Sequence, residues 1–285
     1  MPLFKYSASL DVGYAYHWIT PPDAVYGIDF NNIDGVRVDY SNYSGDWEYG
    51  VQFTAGRTET DTTISGTPAA LELENVVALS FEATRDWFSV RSLLARGKVS
   101  ASNADFDGFV GALGQFGAVV APALNTAEGF SVNEDTGTFF EVALDIDKYD
   151  WFVGAEFTQT EVDDSIIADN KAYYITAGLR LGKFTPHITY EVEEADNASQ
   201  LGLVGAMPSA IATGDAATDA TYSALYQSAA GIAATQELEV SAVTAGLRYD
   251  VEPGFALKVD VTWYSDDIND TNDATLLRVG ANYTF

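Results

Sequence analysis

Residues 275–285 read Thr275-Leu276-Leu277-Arg278-Val279-Gly280-Ala281-Asn282-Tyr283-Thr284-Phe285. Side chains of an extended chain alternate between two faces. Leu277, Val279, Ala281, Tyr283 and Phe285 therefore share one side, and Leu276, Arg278, Gly280, Asn282 and Thr284 the other. The first face suits hydrocarbon and closes on two aromatics. The second is small or polar and carries one charge. A strand crossing a membrane within a closed barrel reads this way, apolar toward lipid and polar toward a wet lumen, with aromatics at the interface. Strands of soluble sandwiches alternate too, so the rest of the chain has to choose.

With 285 residues there is room for one barrel or for two soluble domains. No run of about 18 apolar residues exists, which excludes a membrane helix. The longest candidate, Gly111 to Leu124, is broken by Gln115 and Pro122. Aromatics are abundant, at 16 Tyr, 16 Phe and 5 Trp. The absence of cysteine suits an envelope protein in an oxidising compartment. A net charge of −28, from 14 basic and 42 acidic residues, argues against a nucleic-acid partner. No secretory signal precedes Pro2, so the expectation is a processed, recombinant or N-terminally truncated form.

Along the chain, residues 3–18 alternate from Phe4 to Trp18 as a strand would, until Pro21-Pro22 stops them. An irregular stretch with Asp23, Asp29 and Asp34 follows. Strands are then expected at 35–42, 46–57, 71–85, 87–99, 136–147, 151–161, 171–181, 184–193, 238–250, 255–265 and 274–285. Most are about ten residues or longer, enough for a tilted strand to cross a bilayer. The connections alternate: short turns follow one end of the strands, and long loops at 58–70, 100–135, 162–170, 194–237 and 266–273 follow the other. An up-and-down membrane barrel keeps that order, whereas a Greek-key sandwich has no reason to. The expectation is a single all-β domain over 1–285, an antiparallel transmembrane β-barrel with 11 or 12 strands. Within it, 1–34 is a first strand or a pore-constriction loop, and 35–285 is the up-and-down wall.

An aromatic follows every short turn, at Trp47, Trp87-Phe88, Trp151, Phe184 and Phe255, as an interfacial belt requires. The long loops contain no Lys or Arg and are rich in Asp and Glu. Two of them, 100–135 and 194–237, have room for helices at Phe106–Phe116 and Asp219–Ala234, either capping the mouth or remaining mobile. Asp266-Asp267-x-x-Asp270-x-x-Asp273 is the best Ca²⁺ or Mg²⁺ candidate, yet it lacks the glycine and terminal glutamate of an EF-hand loop, so a solvated acidic turn is expected there instead. No cofactor is expected otherwise.

Parity set by the apolar face turns Arg37, Asp39, Glu48, Gln52, Glu82, Arg91, Glu141, Asp145, Glu156, Arg180, His187, Glu191, Arg248, Lys258, Asp260 and Arg278 inward. A charge facing lipid at mid-bilayer costs roughly 2–4 kcal/mol, so these belong beside water. Rings of charge in a pore select ions by sign.

The ending Tyr283-Thr284-Phe285 resembles the assembly signal of bacterial outer-membrane barrels. The segment from Pro2 through His17-Trp18-Ile19-Thr20-Pro21-Pro22 to Val25-Tyr26 resembles the constriction-loop region of general-diffusion porins of marine Gram-negative bacteria. Arg85-Asp86-Trp87-Phe88-Ser89-Val90-Arg91, Asn133-Glu134-Asp135-Thr136-Gly137 and Phe184-Thr185-Pro186-His187-Ile188-Thr189-Tyr190 are similar to that group as well. Such porins have sixteen strands, assemble as trimers in the bacterial outer membrane, and fold an acidic eyelet loop into the pore opposite a basic ladder. Carried over, the resemblance implies Asp11, Asp23, Asp29 and Asp34 as eyelet acids, and Arg37, Arg91, Arg180, Arg248, Lys258 and Arg278 as the ladder. Family members have about five strands before this loop and this chain starts just ahead of it, so the resemblance implies N-terminal truncation, or else residues 3–18 supply a twelfth strand.

The expected function is a passive porin for ions and small hydrophilic solutes, with outer-membrane lipid and lipopolysaccharide as surroundings and a homotrimer implied by the resemblance. An autotransporter-like translocator and a lipase-type enzyme are the alternatives, and a surface-receptor role is compatible with the first. The only histidines are His17 and His187, and His187 is expected to face the lumen rather than lipid, where a lipase's substrate would be.

Overall fold

Among the described residues, eleven strands form at the eleven positions expected from 35 onward: β1 (Asp34–Ser44), β2 (Trp47–Ile64), β3 (Thr67–Arg85), β4 (Phe88–Asn103), β5 (Val132–Asp147), β6 (Trp151–Val162), β7 (Asp169–Leu179), β8 (Phe184–Asp196), β9 (Leu238–Glu252), β10 (Phe255–Asp266) and β11 (Ala274–Tyr283). The structure is a computed structural model and describes residues 13–27, 33–64, 67–116, 130–163 and 165–284. Each strand pairs with its sequence neighbours in one antiparallel sheet ordered β1 to β11. Among the described residues, β1 and β11 are its two edges and do not pair with each other.

Register makes the two faces continuous, because residues opposite one another in a ladder point the same way. Val259 lies opposite Val279, and Asp260 opposite Arg278. Val142 faces Phe157, and Ile175 faces Tyr190. Val279 is 76% exposed and Leu277 63%, whereas Lys258 and Asp260 are each 2% exposed. That inverts the usual arrangement in water and fits a wall whose outer face meets hydrocarbon. Among the described residues no helix is long and apolar enough to cross a membrane.

The rings after the short turns form contacts along one rim. Trp47 meets Phe88 at 6.0 Å between centroids, Phe184 stacks on Tyr249 at 4.8 Å, and Phe255 meets Tyr283 at 6.2 Å. The Lys148 ammonium sits 3.3 Å from the centroid of the Trp87 ring.

Two expectations change on the opposite rim. The stretch 58–70 is largely ladder: β2 runs on to Ile64, β3 starts at Thr67, and the register continues from Thr58 opposite Leu73 to Ile64 opposite Thr67. The Thr-rich run Thr58-Glu59-Thr60-Asp61-Thr62-Thr63 is β-branched and so favours extension, but it shows no apolar alternation. The second change is in the helices. α2 (Ala104–Gln115) is close to its expected place, α3 (Ala198–Ala206) is an additional helix, and α4 (Ala216–Ala234) starts three residues ahead of its expected start. Asn103 and Asp215 cap α2 and α4 by accepting from backbone N–H groups of the first turn. With the upper ends of β4, β5 and β6, these helices enclose a dry cluster of Val99, Leu113, Phe130, Tyr222, Ala229 and Ala233.

Residues 13–18 are not the end of a strand. Gly13–Ala15 make one 3-10 turn, and α1 (Asp23–Tyr26) follows Pro21-Pro22. The rest of the 3–18 stretch lies outside the described residues. Backbone carbonyls here are satisfied by lumen side chains instead of by a neighbouring strand, which is why alternation alone misreads them.

Candidate pore-lining site

The inner face of β6–β10 alternates small, hydroxyl and ionisable residues: Gly154, Glu156 and Thr158 on β6, Tyr174 and Thr176 on β7, His187, Thr189 and Glu191 on β8, Thr244 on β9, and Lys258, Asp260 and Thr262 on β10. Residues 13–27 lie against this face. Trp18 donates its indole N–H to Thr189 Oγ1 at 2.8 Å and packs with Tyr16, Val25, Ala172 and Tyr174. The Lys258 ammonium donates to the carbonyls of Gly13 and Trp18, each at 2.6 Å. Arg248 donates to the Tyr16 carbonyl at 2.8 Å and to that of Tyr14. The backbone N–H of Ile19 donates to Asp260 Oδ2 at 2.8 Å, and that of Ala24 to Glu191 Oε2 at 3.0 Å. The Tyr26 hydroxyl donates to Glu156, and burial, first of all, then Tyr174 and Glu156, holds its phenol well above the usual range. It stays protonated at any physiological pH.

The expected site residues divide into three sets. Arg248, Lys258 and Arg278 come together on the segment: Arg278 donates to Asp23 Oδ2 at 2.8 Å. Arg278 faces the acid Asp23, and Arg248 and Lys258 hold backbone carbonyls of the segment. Arg37 and Arg91 lie elsewhere on the wall, and Arg180, in the turn after β7, borders the cavity next to His17 without bonding the segment. Arg37 pairs with Asp39 at 2.8 Å, Arg91 with Glu141, and Arg180 with Asp147 at 2.6 Å. Of the acids, Asp34 opens β1 opposite Arg57 and is a wall residue, not a loop residue. Asp11 and Asp29 lie outside the described residues.

Sequence reasoning did not single out Trp18, Tyr26 or Tyr174. Tyr174 carried a signal, as a large aromatic on the polar face of an alternating strand. The turn at 266–273 uses its acids locally: Asp266 Oδ1 accepts from the N–H groups of Ile268 and Asn269, both at 3.0 Å.

Known structures share this arrangement of strands. OmpF of Salmonella typhi, in a complex with daunomycin, aligns over 87% of this chain and 61% of its own, with a TM-score of 0.51 and 14% identity. The outer membrane channel DcaP of Acinetobacter baumannii aligns over 90% of this chain and 65% of its own, with a TM-score of 0.52 and 11% identity. The fold is that of a porin-like outer-membrane β-barrel. The chain spans less than two thirds of the length of either structure. No protein-family model matches it, and no curated protein matches it in sequence.

The segment 13–27 lies on the β6–β10 side of the inner face. A cavity of about 470 Å³ remains beneath it, bordered by His17, Asp145, Arg180, Arg248 and Asp250. On the other side, Arg37, Asp39, Glu48 and Glu82 are exposed on the inner face of β1–β3.

Proposed function

We propose that this chain forms the wall of a water-filled outer-membrane channel through which ions and small hydrophilic solutes diffuse passively. The observation that carries the reading is the opposition of faces: hydrocarbon side chains exposed outside, and ionisable side chains gathered inside around residues 13–27. The passage runs between that segment and the inner face of β1–β5. Its exposed acids Asp39, Glu48 and Glu82 outnumber Arg37 there, and the acidic outer loops add to the same field. Cations are therefore favoured, by an effect that salt screens over roughly 8–10 Å at 0.1–0.15 M. Outer-membrane lipid and lipopolysaccharide are the surroundings this outer face fits, and a homotrimer is the assembly proposed by analogy.

Planar-bilayer recording tests the reading. Stepwise conductance with a reversal potential on the cation side in a salt gradient is expected. Folded, inserted protein without discrete conductance steps would refute it.

A further inference from the structure

Both histidines of the chain meet at the contact between segment and wall. His17 rides on the segment, and His187 projects from β8; their ring centroids are 4.8 Å apart, edge to face. His17 Nε2 lies 3.2 Å from Thr176 Oγ1, and its ring rests on Phe152 at 4.5 Å. His187 is buried, and neither of its ring nitrogens makes a hydrogen bond among the described residues. Its Nε2 is 3.3 Å from Asp260 Oδ1, close enough to pair but not aligned as a hydrogen bond. The other oxygen of Asp260 is the one that accepts from Ile19. One carboxylate thus faces a titratable ring on the wall and holds the segment's backbone.

Each surrounding element presents charge to this spot. β10 contributes Lys258 and Asp260, β9 contributes Arg248 and Asp250, the turn after β7 contributes Arg180, and β5 contributes Asp145 and Asp147. β6 presents Phe152, with Glu156 further along, and β8 presents Glu191 beyond His187. Asp147 and Asp250 are engaged by Arg180 and Arg248.

We propose that His17 and His187 form a proton-operated latch, whose protonation undocks residues 13–19 from the β8–β10 wall. Two imidazolium rings at this separation repel each other and the neighbouring Lys258 and Arg248. Burial, then His187 and the cations Lys258, Arg180 and Arg248, hold His17 well below its ordinary value while docked. The undocked segment therefore binds the proton more readily. The His17 contribution to docking does not vary with pH above about 6.5 and weakens docking below it, by up to about tenfold per pH unit. The latch needs only the docked segment; its effect on current rests on the channel reading.

Trp18, buried at the contact, reports the state. Acrylamide quenching of the full chain in lipid, with the W18F variant subtracted, is followed from about pH 8 to about pH 4.5, a range that brackets the ordinary histidine value. A rise in quenching of about threefold or more below pH ~6 is expected, and its loss in H17Q/H187Q. A flat profile in the parent, or the same rise in the double variant, overturns the proposal. Should the double variant fail to insert, ¹⁵N-histidine spectra of the parent give two signals to titrate; both rings neutral at about pH 4.5 with Trp18 still protected overturns it equally. Undocking with unchanged conductance supports the latch and counts against the channel.

Discussion

Asp23 and Arg278 stand 255 positions apart in the chain and 2.8 Å apart in the lumen. The Tyr264 hydroxyl joins them, donating to the same Asp23 oxygen at 3.0 Å. The contact ties the last described strand to the segment near the start. Half-exposed pairs of this kind contribute about 0–1 kcal/mol. Asp23→Asn should therefore leave denaturant stability within about 1 kcal/mol of the parent. Lys258→Met should cost more, about 1–3 kcal/mol for the buried Trp18 carbonyl it strands and less for the half-buried one of Gly13, read in the same unfolding experiment.

Trp18 is the largest apolar anchor of the segment. Trp18→Phe keeps most of the packing and loses the bond to Thr189, a cost of about 1 kcal/mol. Trp18→Ala leaves a cavity as well and should cost about 3–5 kcal/mol of docking. Limited proteolysis within 13–27 checks this, with accelerated cleavage expected in the alanine variant and an intact barrel in both.

Lipid-facing and lumen-facing positions should respond oppositely to charge. Val259→Arg puts a cation into hydrocarbon and should cost about 2–4 kcal/mol of folding into bilayers. Gln52→Arg, beside Asp39 on the inner face, should cost less than about 0.5 kcal/mol. It should also move the reversal potential toward anions, as should Glu82→Gln.

The dry cluster under the outer helices is separable from the wall. Tyr222 is fully buried and donates to the Pro208 carbonyl at 2.6 Å. Tyr222→Ala should loosen α4 by about 3–5 kcal/mol, seen as faster amide exchange in 198–234 with barrel strands unchanged. Asp215, which caps α4, is held below the usual carboxylate range by Thr218 and by the N–H groups of Ala217 and Thr218. Its folded value is depressed, so the cap is fully present above about pH 4 and is lost as pH falls through the depressed value. Asp215→Ala should show the acid-frayed helix at neutral pH.

Strand positions and facing were legible from residue types because a wall one residue thick has one lipid side and one wet side. Val259 and Lys258 cannot exchange faces without exposing a charge to hydrocarbon, so period two carries the answer. The Thr-rich end of β2 reads as a loop because its run of hydroxyl and acidic residues carries no apolar alternation. The ladder residues Arg248, Lys258 and Arg278 were found as inward cations, but nothing local says whether an inward cation meets water or a backbone carbonyl.

Local pattern thus determined where β1 to β11 lie and the chemistry of each face, since these follow from neighbours in sequence and from the solvent on either side. The course of residues 13–27, the meeting of His17 with His187 and the carbonyls held by Lys258 depended on the folded chain. Those contacts join positions more than 150 apart, and their energies exist only once the sheet has curved to bring them together.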